Sequence, residues 1–331
     1  MKAIVQDRYG SPDVLELTEL DKPAPAANEV LVRVHAAAVN ARDWHLMRGD
    51  PYIARLMLPS VFGFSGPKRR IRGRDFAGRV EAVGAEVTRF RPGDEVYGDL
   101  GNADGAFAEY VCAPDGTVEP KPANLTFEQA AAMPLAGNTA LMGLRDVGRV
   151  QAGQHVLING ASGGVGTFAV QIAKSFGAEV TAVCSTRNVD LVRSLGADQV
   201  VDYTREDFAR GGRRYDVVFD LVGNRSLTEY RRALTPAGTL VMSGGGVSGG
   251  GSPVGPMGLL IRGQALSPFV RHRLLALTES PGQENLAVLR ELAESGKVTP
   301  VIDRTYQLSQ VPEAIRYLEV EHARAKVVIT V

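Results

Sequence analysis

The sequence predicts an α/β protein: a doubly wound parallel sheet that holds a dinucleotide, preceded and followed by β-rich segments. Three observations carry this. A short apolar run (Val156, Leu157, Ile158) enters the turn Gly160-Ala161-Ser162-Gly163-Gly164-Val165-Gly166, which opens an amphipathic run over 165–176. Further strand candidates at 179–184, at Val200 and Val201 with Tyr203, at 216–222 and at 240–243 alternate with helical patterns. Before residue 122 the chain reads instead as short strands broken by Pro23, Pro25, Pro92-Gly93 and Pro114.

The glycine turn has a physical role. Gly163 lets a backbone approach a pyrophosphate with no Cβ in the way, and Gly166 lets the helix lie close on the strand. The free N–H groups and dipole of the helix then face the phosphates. The end of the second strand selects the nucleotide. An NAD site places an acid there to hold the ribose 2′-hydroxyl. Here the strand ends Cys184-Ser185-Thr186-Arg187-Asn188, with no carboxylate before Asp190. Ser185 offers a hydroxyl, Arg187 a planar cation suited to a 2′-phosphate, and Tyr203 a phenolic donor. The alternative for Arg187 is a solvated residue in the first turn of a helix. The missing acid points to NADPH in either case.

Bulk properties bound the rest. Lysine plus arginine and aspartate plus glutamate balance at 37 each, so no global field draws the chain to nucleic acid or anionic lipid. Lys68, Arg69, Arg70 and Arg72 form a local basic cluster, read as a solvated loop or as a guide for an anionic substrate. No apolar run approaches the ~20 residues that span a bilayer. Met1 leads almost at once into a strand, and the two cysteines, Cys112 and Cys184, sit in apolar strand contexts. Together these favour a soluble cytoplasmic protein without a disulfide framework.

Along the chain, strands are expected at 30–36, 78–83, 94–97 and 106–111, as in a small half-buried barrel. Thr126 caps a helix over 127–133, and a second helix runs over 139–144. A sixth strand is expected at 273–277, a helix over 284–294 closed by Gly296, and a terminal strand at 327–331. The terminal strand needs a sheet to join, and the first domain is its host. The expected division is 1–122 with 296–331 as one domain and 123–295 as the cofactor domain. The glycine-rich segment 244–258 reads as a linker or as a loop over the active site, its place after the fifth strand favouring the loop.

Several blocks then stand in order: Val39-Asn40-Ala41-Arg42-Asp43, Gly73-Arg74-Asp75-Phe76-Ala77-Gly78, Pro92-Gly93-Asp94-Glu95-Val96, Gly105-Ala106-Phe107-Ala108-Glu109-Tyr110, the glycine turn, and Leu195-Gly196-Ala197-Asp198. Through these the chain resembles the medium-chain dehydrogenase/reductases, in particular their zinc-independent NADPH:quinone oxidoreductase branch. The resemblance implies a GroES-like β-barrel catalytic domain beside a Rossmann cofactor domain. Zinc-dependent relatives carry a Cys where Asn40 stands and a His where Arg74 stands. An arginine cation at a ligand position repels zinc, and the five histidines (His35, His45, His155, His272, His322) are scattered. Without a Lewis acid, alkoxide activation is difficult, whereas reduction of a quinone or α,β-unsaturated carbonyl needs only orientation and a hydrogen bond.

The resemblance also assigns roles. Asn40 orients the nicotinamide ribose or polarises the acceptor oxygen and Asp43 fixes its loop, unless the two are simply a turn residue and a helix cap. Tyr52, displaced one position by Pro51, is the general-acid candidate, with a packing or lid role as the alternative. Trp44 and His45 shape the pocket wall. Thr139 contacts the nicotinamide side, and Ser162, Gly163, Gly164 and Val165 cradle the pyrophosphate. Gly223, Ser243, Gly244 and Gly245 border the nucleotide. Lys326 is either a cofactor-contacting lysine or a solvated one. A homodimer through the 273–277 edge strand is implied. Two other functions remain open: a low-turnover NADPH-binding structural or redox-sensing protein, and an enoyl-thioester reductase using the 68–72 cluster.

Overall fold

A computed structural model describes residues 1–50, 52–63, 65–243, 257–278, 282–321 and 323–331. The chain forms two compact units, Met1–Asn138 with Pro281–Val331, and Thr139–Ser280.

The second unit holds a six-stranded parallel sheet. Its spatial order is Gln199–Asp202, Glu179–Cys184, His155–Asn159, Tyr215–Asp220, Leu234–Met242, Arg273–Ala276. Numbered along the chain this is 3-2-1-4-5-6, the doubly wound arrangement whose order reverses beside the first strand. Strands covered on both faces read as continuous apolar runs, and Val156, Leu157 and Ile158 are fully buried. The helix Gly164–Ser175 is buried on all sides from Gly166 to Ala173, so it is a core helix rather than the amphipathic one expected. Every strand expected in this region is present, although the fifth starts six residues earlier, at Leu234.

The spine of the first unit is the eleven-residue strand Glu29–Val39. One edge pairs with Asp75–Val83. The other edge is shared: Glu29 to Arg33 pair with Tyr110–Pro114, and Ala36 to Val39 with Lys326–Thr330. The terminal strand therefore does return to the first sheet, inserted between Ile302–Gln307 and the spine. Val30, Val32, Phe76, Phe107, Val327 and Ile329 meet in the core of this unit.

Three local expectations change. The strand expected at 106–111 forms at Tyr110–Pro114. Phe107 and Ala108 pair with the N-terminal strand instead, Ile4 N donating to Phe107 O at 2.9 Å. The helix expected over 139–144 runs over Pro134–Leu141, because a proline is well placed in a first helical turn, and continues as a π-helical turn over Met142–Val147. The compact units also divide elsewhere than at 122/123 and 295/296. The helix Phe127–Ala131 packs on the spine and on Asp75–Val83, and Tyr97 Oη donates to Leu286 O at 2.6 Å, so both flanking helices join the first unit. Among the described residues no helix is long and apolar enough to cross a membrane.

Candidate active site

In the second unit the site is built on the turn that leaves His155–Asn159. Gly160 has φ +88°, and Gly163 is the N-cap of the following helix in extended backbone. A Cβ at Gly166 would stand 2.2 Å from Gly160 O and 2.6 Å from Ala161 C, so the helix lies against the turn itself rather than against the strand. A Cβ at Gly163 would meet nothing of the protein nearer than Gly160 O at 3.4 Å, leaving that side of the turn open. Ser162, Gly163, Gly164 and Val165 are all half-buried at this helix N-terminus, and such a terminus with an open cradle fits a pyrophosphate. Gly223 and Ser243 lie at the ends of neighbouring strands. Gly223 N donates to the Asp220 carboxylate at 3.1 Å and Ser243 N to Asp220 O at 3.1 Å. Gly244 and Gly245 lie outside the described residues.

The second strand ends in Ser185 and the short helical turn Thr186–Asn188. Arg187 is exposed and Tyr203 is 54% exposed, so both side chains reach the surface of this unit. Two residues that sequence reasoning passed over organise this corner. Asp202 accepts from Thr186 Oγ1 at 2.5 Å and from Thr204 Oγ1 at 2.7 Å, and these bonds hold its carboxyl below the usual range. Asn188, 5% exposed, donates from Nδ2 to Ser162 Oγ at 3.0 Å and to Ser185 Oγ at 3.3 Å, while its Oδ1 is buried without a partner. Deeper, Asn159 Nδ2 donates to Asp220 Oδ1 at 2.8 Å and to Asn224 Oδ1 at 3.0 Å, fixing the turn that carries Gly223. The available signal was register: Asn159 and Asp220 are opposite polar ends of two apolar strands.

In the first unit the loop after the spine becomes a buried polar cluster. Asn40 caps the helix Ala41–Arg48, its N–H donating to Asp43 Oδ2 at 2.7 Å. Its side-chain amide is fully occupied. Nδ2 donates to Asp75 Oδ2 at 3.0 Å and to Ala38 O at 3.3 Å, and Oδ1 accepts from Lys326 Nζ at 2.5 Å. Lys326 is 2% exposed and also lies 3.6 Å from Asp75 Oδ2, which excludes the solvated alternative. Asp75 Oδ1 accepts from Leu135 N at 3.0 Å, so one carboxylate joins three segments. Burial pushes Asp75 up and Lys326 down, each opposed by the charge of the other. Burial, with Asp104 adding to it, pushes Asp43 up to about 6.

The remaining candidates are placed differently. Tyr52 begins the helix Tyr52–Met57 and is 63% exposed, with the Arg55 guanidinium 4.7 Å from its ring centroid. Pro51, the residue that displaces it, is outside the described residues. Trp44 belongs to the apolar core rather than to a pocket wall, because its indole is buried among barrel side chains and stacks on His45 at 3.7 Å. His45 Nδ1 lies 3.1 Å from Asp50 O, and burial lowers its pKa, favouring a neutral ring. Thr139 is buried at the first position of the second unit, on the helix Pro134–Leu141. The 68–72 segment is not one solvated basic loop. Arg72 is fully buried on Gln6 Oε1 (3.0 Å) and Asp104 Oδ2 (3.3 Å), and Arg70 is paired with Asp7.

Residues 26–123 match the alcohol dehydrogenase GroES-like domain, and residues 195–329 match the zinc-binding dehydrogenase domain. The mitochondrial NAD(P)H oxidoreductase RTN4IP1 of Mus musculus is 36% identical, over 100% of this chain and 89% of its own. The chloroplastic NADPH-dependent alkenal/one oxidoreductase of Arabidopsis thaliana is 35% identical, over 99% of this chain and 79% of its own. The quinone oxidoreductase of Coxiella burnetii superposes with a TM-score of 0.86 at 33% identity, covering 100% of this chain and 99% of that one. Zinc, which one domain description names, does not fit the residues present. Arg74 is buried in a two-pronged pair with Asp99, and the Asn40 amide oxygen already takes an ammonium. An ion pair and an occupied amide offer no ligand set.

Proposed function

The chain belongs to the zinc-independent, quinone-oxidoreductase branch of the medium-chain dehydrogenase/reductase family, and on that premise we propose that it reduces quinones and α,β-unsaturated carbonyls with NADPH. The observation that carries this is the replacement of a metal site by the buried Arg74–Asp99 and Lys326–Asn40–Asp75 contacts. A site with no Lewis acid favours acceptors that need none. The names of the relatives, quinone oxidoreductase and alkenal/one oxidoreductase, support the same substrate class.

NADPH supplies the hydride when bound. The open turn at Gly163 and the hydroxyl of Ser162 hold its pyrophosphate, and Ser185, Arg187 and Tyr203 hold its 2′-phosphate. Two charge-assisted hydrogen bonds, each worth roughly 1.5–3 kcal/mol, are enough for a preference over NADH of at least about tenfold. Asn40 acts as the pin of its loop, since both amide hydrogens are already used. Tyr52 keeps an exposed hydroxyl able to give a proton to the carbon of an enone. The enoyl-thioester alternative is less favoured, because burial of Arg72 and the Arg70–Asp7 pair reduce its basic cluster to Lys68 and Arg69.

Steady-state NADPH oxidation against a quinone, a short enone, an enoyl-thioester and no acceptor tests the reading. Turnover is expected with the first two. Turnover with the thioester alone, or with none, would overturn it. Equal affinity of the wild type for NADPH and NADH, unchanged in Arg187→Ala, would remove the coenzyme assignment.

A further inference from the structure

We infer that Asn188 is the positioning residue that makes the phosphate turn and the end of the second strand a single anion site, by presenting the hydroxyls of Ser162 and Ser185 as donors. The inference rests on the dinucleotide reading above and assigns part of its specificity to a residue that never meets the reacting atoms.

The argument is one of hydrogen-bond direction. A serine hydroxyl has one proton to donate and lone pairs to accept with. Asn188 Nδ2 gives one hydrogen to Ser162 Oγ and the other to Ser185 Oγ, at 3.0 and 3.3 Å. Each oxygen thereby accepts a hydrogen bond from inside the protein, which turns its own proton away from Asn188. Among the described residues neither hydroxyl has a protein acceptor for its own proton, so both protons are left to a ligand. An anion is the ligand that suits two such donors. Thr186, one residue along, shows the opposite state: its hydroxyl donates inward to Asp202 and is not available.

The choice of asparagine matters for the same reason. A carboxylate at this position would accept both serine protons, turn them inward and place a negative charge beside the phosphates. The buried Asn188 Oδ1 has no partner. A polar atom left unsatisfied in that way is retained where the rest of the side chain has a task, and here the task belongs to Nδ2. The two serines come from different strand–turn connections, 26 and 3 residues from Asn188 in sequence. The amide is what relates them.

The test measures dissociation constants for NADPH and NADH by fluorescence titration, with a thermal melt on every variant. Asn188→Ala should weaken NADPH by about tenfold and NADH less, because NADH lacks the phosphate that Ser185 faces. Asn188→Asp, nearly isosteric, should keep the melting temperature and abolish or reverse the preference for NADPH. In a Ser162→Ala/Ser185→Ala background, Asn188→Ala should cost less than about twofold, since the groups it acts through are gone. An effect undiminished in that background, or equal losses for both dinucleotides with a lowered melting temperature, would overturn the inference. A wild type with no preference defeats the coenzyme assignment instead. The role of Asn188 then stands or falls on whether its effect vanishes in Ser162→Ala alone.

Discussion

Asp43 Oδ2 accepts the backbone N–H of Asn40 at 2.7 Å, while Asp43 Oδ1 is buried with no partner among the described residues. The carboxylate is thus half satisfied, and it feels the charges of Asp104, Arg42, Arg72 and Lys326. Burial and Asp104 push it up to about 6. The folded chain therefore keeps a proton that the unfolded chain releases near pH 4.

The pH dependence follows in sign. A raised carboxyl pKa makes the folded state the better proton binder, so this group weakens folding as pH rises from about 4 through about 6. Asp43→Asn keeps the hydrogen bond to Asn40 and removes the charge. It should be more stable than wild type at pH 8 by up to about 3 kcal/mol, with the difference vanishing near pH 4. Urea unfolding at several pH values checks this; a difference that does not change with pH would show that Asp43 does not titrate there.

The two glycines of the phosphate turn should separate folding from binding. Gly166→Ala forces a Cβ to within 2.2 Å of Gly160 O, so both the melting temperature and dinucleotide affinity should fall. Gly163→Ala meets only an ordinary 3.4 Å contact at an unstrained φ of −81°. Its melting temperature should hold while NADPH affinity drops by about tenfold or more, because the new methyl stands where the pyrophosphate approaches. Unchanged affinity in Gly163→Ala would remove this turn from the cofactor site.

Tyr52 is expected to distinguish substrates. An enone needs a proton on carbon, whereas the oxygens of a reduced quinone take theirs from water. Tyr52→Phe should lower kcat for an enone and leave quinone turnover nearly intact. Because the side chain is 63% exposed, water competes with it, and the loss should be at the low end of general-acid effects, about 10². Equal losses on both substrates would make Tyr52 a shaping residue.

Association is expected through the strand Arg273–Ala276, which among the described residues pairs only with Leu234–Met242 and leaves one edge open. Open edges recruit a second copy across a twofold axis. Light scattering should give twice the 35.4 kDa chain mass, and Ala276→Pro should give the single mass, because Leu277 N donates to Met242 O and the N–H one residue before it therefore faces the free edge. A monomeric wild type at micromolar concentration would contradict this.

Much of this was legible in the sequence because it is local. A glycine turn between an apolar run and a helical one specifies its own geometry, and the alternation of strands and helices specifies the sheet around it. The capping box of Thr126 with Gln129 was readable for the same reason. The positions of Lys326, Arg72 and Trp44 were not. Each is decided by segments far away in sequence: Lys326 meets Asn40 286 residues distant, and Arg72 meets Gln6 66 residues distant. A lysine before a strand reads alike whether solvated or buried until its partners are known. Asn188 was hidden differently, since its partners are two serines that sequence reasoning had already given to the ligand.

The placement of Lys326–Thr330 between Ile302–Gln307 and the Glu29–Val39 spine has a consequence for the order of events during synthesis. The contiguous second unit has left the ribosome while the first still lacks one of its inner strands. Vectorial synthesis lets domains fold as they emerge, so the unit that begins the chain is the one completed last. Until residues 326–330 arrive, the spine edge at Ala36 to Val39 is unpaired and Asn40 and Asp75 lack their ammonium. A nascent chain stalled before residue 326 would carry a finished nucleotide fold and a first unit whose spine is unpaired at Ala36 to Val39, which is the state a chaperone or a protease would meet.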